Sequence, residues 1–252
     1  AVVTGRGHGE IVDLPAGAGW IAPYASAGPA AIGLDSLQNG ALPVAFAQGY
    51  GASDVGPAGG EVSLTPPGTL HITVDDGGPA VVQVAFSGGD PVSVDRAFVP
   101  GRPSGAAAYG YVRDGDLDLP LEPGSYRVTV HRGLRWEMHQ EDIVVESGGD
   151  VDVSASLVEA VRPPGMLTAD PHSHASPSGD GEVPMAHRLL SHAANGVDVH
   201  IGTDHDHVAD YRPMLAPLGL DGRLASIIAD EVSPVLRGHF NIYPLEQMPE
   251  LP

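Results

Sequence analysis

Seven of the twelve histidines fall between Asp170 and His207, in the runs Asp170-Pro171-His172-Ser173-His174 and Thr203-Asp204-His205-Asp206-His207. Glu231 and the pair Gly238-His239 follow. His172 and His174 are two residues apart, so in an extended segment both imidazoles project to the same side and can hold one metal ion together. With Asp180, His205, Glu231 and His239 they form a candidate set of metal ligands. A carboxylate such as Glu231 can bridge two divalent ions about 3.5–4 Å apart, while imidazole ligands leave positions open for water, which is acidified toward neutrality and becomes a nucleophile. Asp170 and Asp204 lie within two residues of a proposed ligand. Each is a candidate to orient an imidazole N–H, with capping of a loop or helix as the alternative. Glu231, Asp204 and Asp170 are therefore the candidate catalytic carboxylates.

Such a set works only if separate elements bring it together. Residues 182–195 carry Val183, Ala186, Leu189, Leu190 and Ala193 on one helical stripe, with Asp180 as the expected N-cap and Gly196 where a C′ glycine belongs. Residues 197–202 read as a buried strand, 209–218 as a short helix interrupted at Pro213, 226–230 as a second buried strand and 240–243 as a third. Strand and helix in alternation predict a parallel α/β sheet or barrel, whose sites are built at the carboxyl ends of the strands. Asp204 and His205 fall just past the end of one such strand and Glu231 just past the next, with His172 and His174 just ahead of the first helix.

The first part of the chain has another grammar. Leu70, Ile72 and Val74; Val82, Val84 and Phe86; Tyr126, Val128 and Val130; and Val151, Val153, Ala155 and Leu157 alternate with polar residues between Gly- and Asp-rich turns. Period-2 alternation predicts antiparallel strands with one buried face, hence a β-sandwich-like domain over 1–160 followed by a second domain over 161–252. Residues 1–65 read as irregular with a few short strands. Trp20 and Trp136 read as core or rim packing, and Trp136 is also a candidate to line a pocket between the domains. Of the other histidines, His187 and His192 are expected on the surface of the helix, His200 in packing or hydrogen bonding, His207 as a reserve ligand, and His8, His71, His131 and His139 in structural roles.

Composition narrows the chemistry. The net charge of −20 and pI near 4.7 disfavour nucleic acid and anionic membrane surfaces as partners. All 12 basic residues are Arg, which removes Schiff-base and P-loop lysine chemistry, and the absence of Cys removes thiol nucleophiles, Cys-ligated zinc and disulfides. A transition metal must then be held by His and carboxylate, a donor set that suits Zn²⁺ and also accepts Mn²⁺ or Fe²⁺. There is no His-Glu-x-x-His and no Gly-x-Ser-x-Gly elbow; Gly49-Tyr50-Gly51-Ala52-Ser53 resembles one only loosely, and Gly5-Arg6-Gly7-His8-Gly9 lacks the context of a dinucleotide fingerprint. No run approaches the roughly 20 apolar residues of a membrane-spanning helix, and AVVTGRGHGE has no signal-peptide pattern. A soluble bacterial chain working outside the cytoplasm on a small-molecule substrate is the expectation.

At these residues the chain resembles the PHP (polymerase and histidinol phosphatase) metallohydrolase superfamily, in its CehA/McbA-like branch related to carbaryl hydrolase. The similarity runs through Pro123-Gly124-Ser125-Tyr126-Arg127-Val128, Arg132-Gly133, Asp170-Pro171-His172-Ser173-His174, Gly196-Val197-Asp198, Thr203-Asp204-His205, Asp210-Tyr211-Arg212-Pro213, Glu231-Val232-Ser233 and Gly238-His239-Phe240-Asn241. It implies a β-sandwich followed by the first part of a distorted (β/α)7 barrel. It also implies a site of two or three ions that hydrolyses phosphoester, carbamate or related ester bonds. Residue by residue, it makes His172, His174, His205, Glu231 and His239 the metal ligands, and Asp180 a ligand or an orienting group. Pro171 stands where the family usually has an aliphatic residue. The family's remaining ligands, a further His and an Asp-x-His pair, would lie beyond Pro252, so a completing segment or chain is expected. The alternative is a non-catalytic exported binding protein with a vestigial barrel.

Overall fold

A computed structural model describes residues 66–87, 107–234 and 237–246 fully. Ahead of them it describes the backbone of six short strands: Val2–Val3 (β1), Gly9–Asp13 (β2), Ala30–Ala31 (β3), Pro43–Ala47 (β4), Ser53–Asp54 (β5) and Glu61–Val62 (β6). β1 pairs with β3 and β6, and β4 with β2 and β5. The readings for His8, Trp20 and the remainder of 1–65 lie outside the described residues.

The alternating segments form the expected strands. They are Gly68–Val74 (β7), Ala80–Phe86 (β8), Gly124–His131 (β11) and Asp150–Ala155 (β13). Three more, Ala108–Val112 (β9), Asp116–Leu121 (β10) and His139–Val145 (β12), went unrecognised in the sequence. They make two sheets, β10-β7-β13 and β12-β11-β8-β9. Leu70, Ile72, Val82, Val84, Tyr126, Val128, Val130 and Val153 fill the space between, each at most 1% exposed. Each such side chain contributes about 1.5–3 kcal/mol by leaving water. The Tyr126 hydroxyl donates to the Glu122 carbonyl at 2.7 Å, so the one polar atom of that ring is satisfied at the rim of the core.

The barrel expected after residue 160 is not formed, and the fold is dominated by sheet. Among the described residues, Ala169–Ser173 (β14), Val199–Gly202 (β15) and Ala225–Ile228 (β16) make a three-stranded parallel sheet with one α-helix, Met185–Ala194 (α1), in the first crossover. Two physical causes end the alternation. Pro213 and Pro217 sit in the first turns of two 3₁₀ segments, Arg212–Met214 and Ala216–Leu218, so the expected second helix does not propagate. Asp230–Val232 (β17) then follows β16 with no helix between, and Phe240–Ile242 (β18) returns antiparallel to it, with Glu231 opposite Asn241. A parallel strand needs a long crossover, so β18 cannot continue a parallel barrel. It is exposed, not buried as the sequence reading had it.

Helix α1 starts later than expected. Pro184 takes the N-cap position without a side-chain hydrogen bond, and Asp180 is engaged elsewhere. Its end is as expected: Gly196 has φ +69°, its N–H donates to the Ala193 carbonyl, and that of Val197 donates to the His192 carbonyl. α1 lies against β8 and β9, joining the second unit to the sandwich. Gly133, at φ +71°, meets the Asn195 carbonyl there so closely that a Cβ would collide with backbone. Gly133→Ala is therefore expected to destabilise the protein by about 2–4 kcal/mol, combining left-handed strain with the collision. A denaturation midpoint equal to wild type would contradict this.

Candidate metal centre

The site is assembled at the carboxyl ends of the parallel strands. β14 pairs with β15 through Asp170↔His200, and the register then slips before Ser173↔Gly202. Pro171 sits in that slip, where it has no N–H to give the ladder. Thr203 re-secures the two strands: its hydroxyl accepts from Ser173 N at 3.0 Å, and its own N–H donates to the Ser173 carbonyl. Beyond β15, Glu231 N donates to the Asp204 carbonyl and Asp206 N to the Glu231 carbonyl, which sets His205 beside Glu231. Asp206 adopts φ +49° in this turn.

Four imidazoles then surround one carboxylate. His172 Nε2 and His174 Nε2 each lie 2.8 Å from Glu231 Oε2, His239 Nδ1 lies 2.9 Å from Oε1, and His205 Nδ1 lies 3.7 Å from Oε2. The Glu231 side chain is 5% exposed, whereas those of His172 and His239 are 54% and 53% exposed and form the mouth. Asp180 closes the other side, with Oδ1 3.0 Å from His174 Nδ1 and Oδ2 3.3 Å from His205 Nε2. Burial alone would raise the Glu231 pKa, but the His172 hydrogen bond, the charge of His205 and the His239 hydrogen bond outweigh it and hold the carboxyl below its ordinary range. The Asp180 carboxyl is also held well below the ordinary range, first by the Ser178 hydroxyl and then by His174.

All six residues proposed as ligands, His172, His174, Asp180, His205, Glu231 and His239, are thus brought together. They form three overlapping groups that could hold a metal ion: His172–His174–Glu231, His174–Asp180–His205 and His205–Glu231–His239. The donors fit. In tetrahedral zinc sites two ligand atoms, each about 2.0–2.1 Å from the ion, are separated by about 3.3 Å, so the imidazole–carboxylate contacts, which run from 2.8 to 3.7 Å, would each need to shift by no more than about half an ångström. His174 meets a carboxylate oxygen at both ring nitrogens, an arrangement that calls for an imidazolium or for a cation in place of one proton.

The two other candidate carboxylates reach no imidazole of this set among the described contacts. Asp204 is fully buried and accepts from Ala175 N at 2.8 Å and the Tyr211 hydroxyl at 2.6 Å. Asp170 accepts from His172 N and faces His192 Nε2 at 3.0 Å. Both hold the backbone of ligand-bearing segments. His192 is buried, contrary to the surface position expected, because its Nδ1 meets the Arg188 carbonyl and its Nε2 meets Asp170. His200 is buried in the strand as expected, while His187 and His207 are exposed. Sequence reasoning missed Ser178, whose hydroxyl lies 2.6 Å from Asp180 and accepts from His205 N, and Ser233, whose hydroxyl lies 2.6 Å from His205 Nδ1. Both stand two residues from a candidate ligand carboxylate, a spacing that could have marked them.

No protein-family description and no curated protein matches the sequence. Among solved structures, the chain is similar at 13% identity and TM-score 0.28 to GBS52, the minor pilin of Streptococcus agalactiae, over 54% of this chain and 66% of that one. It is also similar, at 13% identity and TM-score 0.27, to the Bacillus anthracis TIE protein, over 46% of this chain and 24% of that one. Likeness at that level carries no functional argument. Among the described residues no helix is long and apolar enough to cross a membrane.

Proposed function

We propose that the chain is a metal-dependent hydrolase of phosphoester, carbamate or related ester bonds, with its centre on Glu231. The observation that carries this reading is a nearly buried carboxylate with imidazole nitrogens within 3 Å of both its oxygens, at the carboxyl ends of parallel strands. The motif order shared with PHP metallohydrolases supports the same chemistry, without the barrel.

The arrangement favours two ions over three. The groups His172–His174–Glu231 and His205–Glu231–His239 have only Glu231 in common. Filling the third group as well would demand both ring nitrogens of His174 and His205, and a neutral imidazole has one lone-pair nitrogen. His174 then ligates through Nε2 and donates Nδ1–H to Asp180, whose role is to fix that ring. Zinc is the cation this nitrogen-rich set suits best. A divalent ion held there supplies Lewis acidity, polarising a substrate oxygen and lowering the pKa of water toward neutrality. The half-exposed rings of His172 and His239 define the face by which a substrate enters. A cysteine-free, strongly acidic chain suits an extracytoplasmic setting.

The test is metal analysis of protein purified without chelator, together with hydrolysis of an aryl phosphodiester and an aryl carbamate. The expected result is about two equivalents of metal, and hydrolysis that disappears in His174→Ala. Metal below about half an equivalent and not restored by added Zn²⁺ or Mn²⁺ would sink the proposal. Stoichiometric metal with no hydrolysis of either ester would favour the binding-protein alternative.

A further inference from the structure

The twelve arginines supply all the fixed positive charge of a chain whose net charge is −20, and four of them line one cleft of about 530 Å³. The cleft lies between the sandwich and the parallel sheet, at the amino ends of the strands, where Leu167 precedes β14, Asp198 precedes and Val199 opens β15, and Ala225 opens β16. The metal centre is at the opposite ends, about 10 Å of strand away. Asp76 and Asp198 are the acidic groups of the lining, against Arg132, Arg135, Arg162 and Arg223.

The four arginines divide into two kinds. Arg132 is buried, forks onto both oxygens of Asp76, donates to the Pro79 carbonyl and stacks 4.6 Å over Trp136. Arg135 forks onto Asp198 at 2.6 and 2.9 Å and also donates to the Gly196 carbonyl. These two build the wall. Arg162 is 56% exposed and tethered by Nε to Glu159 at 2.8 Å, with its NH2 3.9 Å from Asp198. Arg223 is exposed; its backbone N–H donates to the Leu220 carbonyl, and its guanidinium has no hydrogen bond among the described residues but lies within electrostatic reach of Asp76. A Cβ placed on Gly78 would meet Arg132 NH2 and Arg223 NH1 at 2.6 Å each, so two guanidinium groups converge on one point of the rim. Asp76 answers Arg132 and draws on Arg223, Asp198 pairs with Arg135 and Glu159 with Arg162, so four guanidinium groups meet three carboxylates in and beside the cleft, and the one positive charge left over favours an anion.

We propose that this cleft binds a small organic oxyanion, its charged group taken by Arg223 and Arg162 and its apolar body resting against Leu167. Guanidinium forks match the planar oxygen pairs of phosphate, phosphonate and carboxylate, and do so in water-exposed clefts better than a point charge would. The 70% exposed Leu167 offers the apolar surface. The site is independent of the metal centre and of the reading given to it.

Calorimetric titration with phenylphosphonate, which cannot be hydrolysed as an ester, tests it against inorganic phosphate on the same protein. Saturable binding is expected, tighter for phenylphosphonate than for phosphate. It should weaken about tenfold in Arg223→Gln and in Arg162→Gln, as expected for loss of one charge-assisted hydrogen bond. Both side chains are exposed, so unchanged thermal midpoints should accompany the loss. Glu231→Gln should leave this binding intact. Affinity lost in Glu231→Gln but kept in both arginine variants would overturn the proposal by placing the anion at the metal centre, and so would the absence of saturable binding to the wild-type chain.

Discussion

Glu231→Gln is expected to empty the metal centre and to lower hydrolysis by at least about 10³-fold, since groups one shell further out already cost about 10–100-fold when removed. The substitution keeps the shape of the side chain and removes the charge that three imidazoles approach within 3 Å. The amide also presents N–H donors where a ligand oxygen is needed, so one face of each outer three-residue group is lost at once. Bound metal counted by mass spectrometry and turnover of an aryl ester measured together check the result. Because the sandwich core lies elsewhere and Glu231 is not in it, the thermal midpoint in chelator should move little. Wild-type metal content in this variant would refute Glu231 as the shared ligand.

A second large effect is expected in acid, and His200 causes it. The ring is fully buried, with Nδ1 3.0 Å from the Ser226 hydroxyl, Nε2 without a hydrogen-bond partner among the described residues, and the rings of His192 and Tyr211 at 5.0 and 4.5 Å. Burial, reinforced by His192, pushes its pKa from 6.5 down to about 3. Between those values the unfolded chain binds a proton that the folded chain refuses, so folding stability rises with pH through this window. The contribution is fully present above the unfolded value and is lost as pH falls, by about 1.4 kcal/mol per unit. At pH 4.5 the loss from this ring alone is about 2.7 kcal/mol. His200→Gln cannot take up the proton and should flatten the acid limb by that amount. Urea unfolding of both proteins at pH 7 and 4.5 measures it, and parallel curves would show that His200 is not responsible.

Much of the sandwich was legible because a half-buried sheet imposes a period of two on its own sequence. Leu70, Ile72 and Val74, or Tyr126, Val128 and Val130, announce a buried face whatever their partners are. β10 and β12 were missed because their patterns are mostly polar or part-exposed, so period 2 gives little contrast there. The candidate ligand set could be assembled from the sequence for a chemical reason: in a chain without Cys or Lys, imidazole and carboxylate are the metal donors of any density, and His172-x-His174 needs no tertiary information to share a side.

What the sequence determined by itself was therefore local: the donor types, the strands with a strong alternating face, and the Gly196 end of α1. The tertiary structure alone decided what Asp170 and Asp204 hold: the β14–β15 slip and the His205–Glu231 bridge turn Glu231 inward and commit the other two to backbone N–H, Tyr211 and His192 instead of the ligand imidazoles expected of them. It also decided that the second unit is a short parallel sheet and not a barrel. That outcome rests on where β18 pairs, and pairing between remote strands depends on the connection between them, here one residue between β16 and β17, which hydrophobic periodicity does not encode. Burial of His192 has the same origin, since its partner Asp170 comes from another strand and a helical stripe registers only the residues of its own helix.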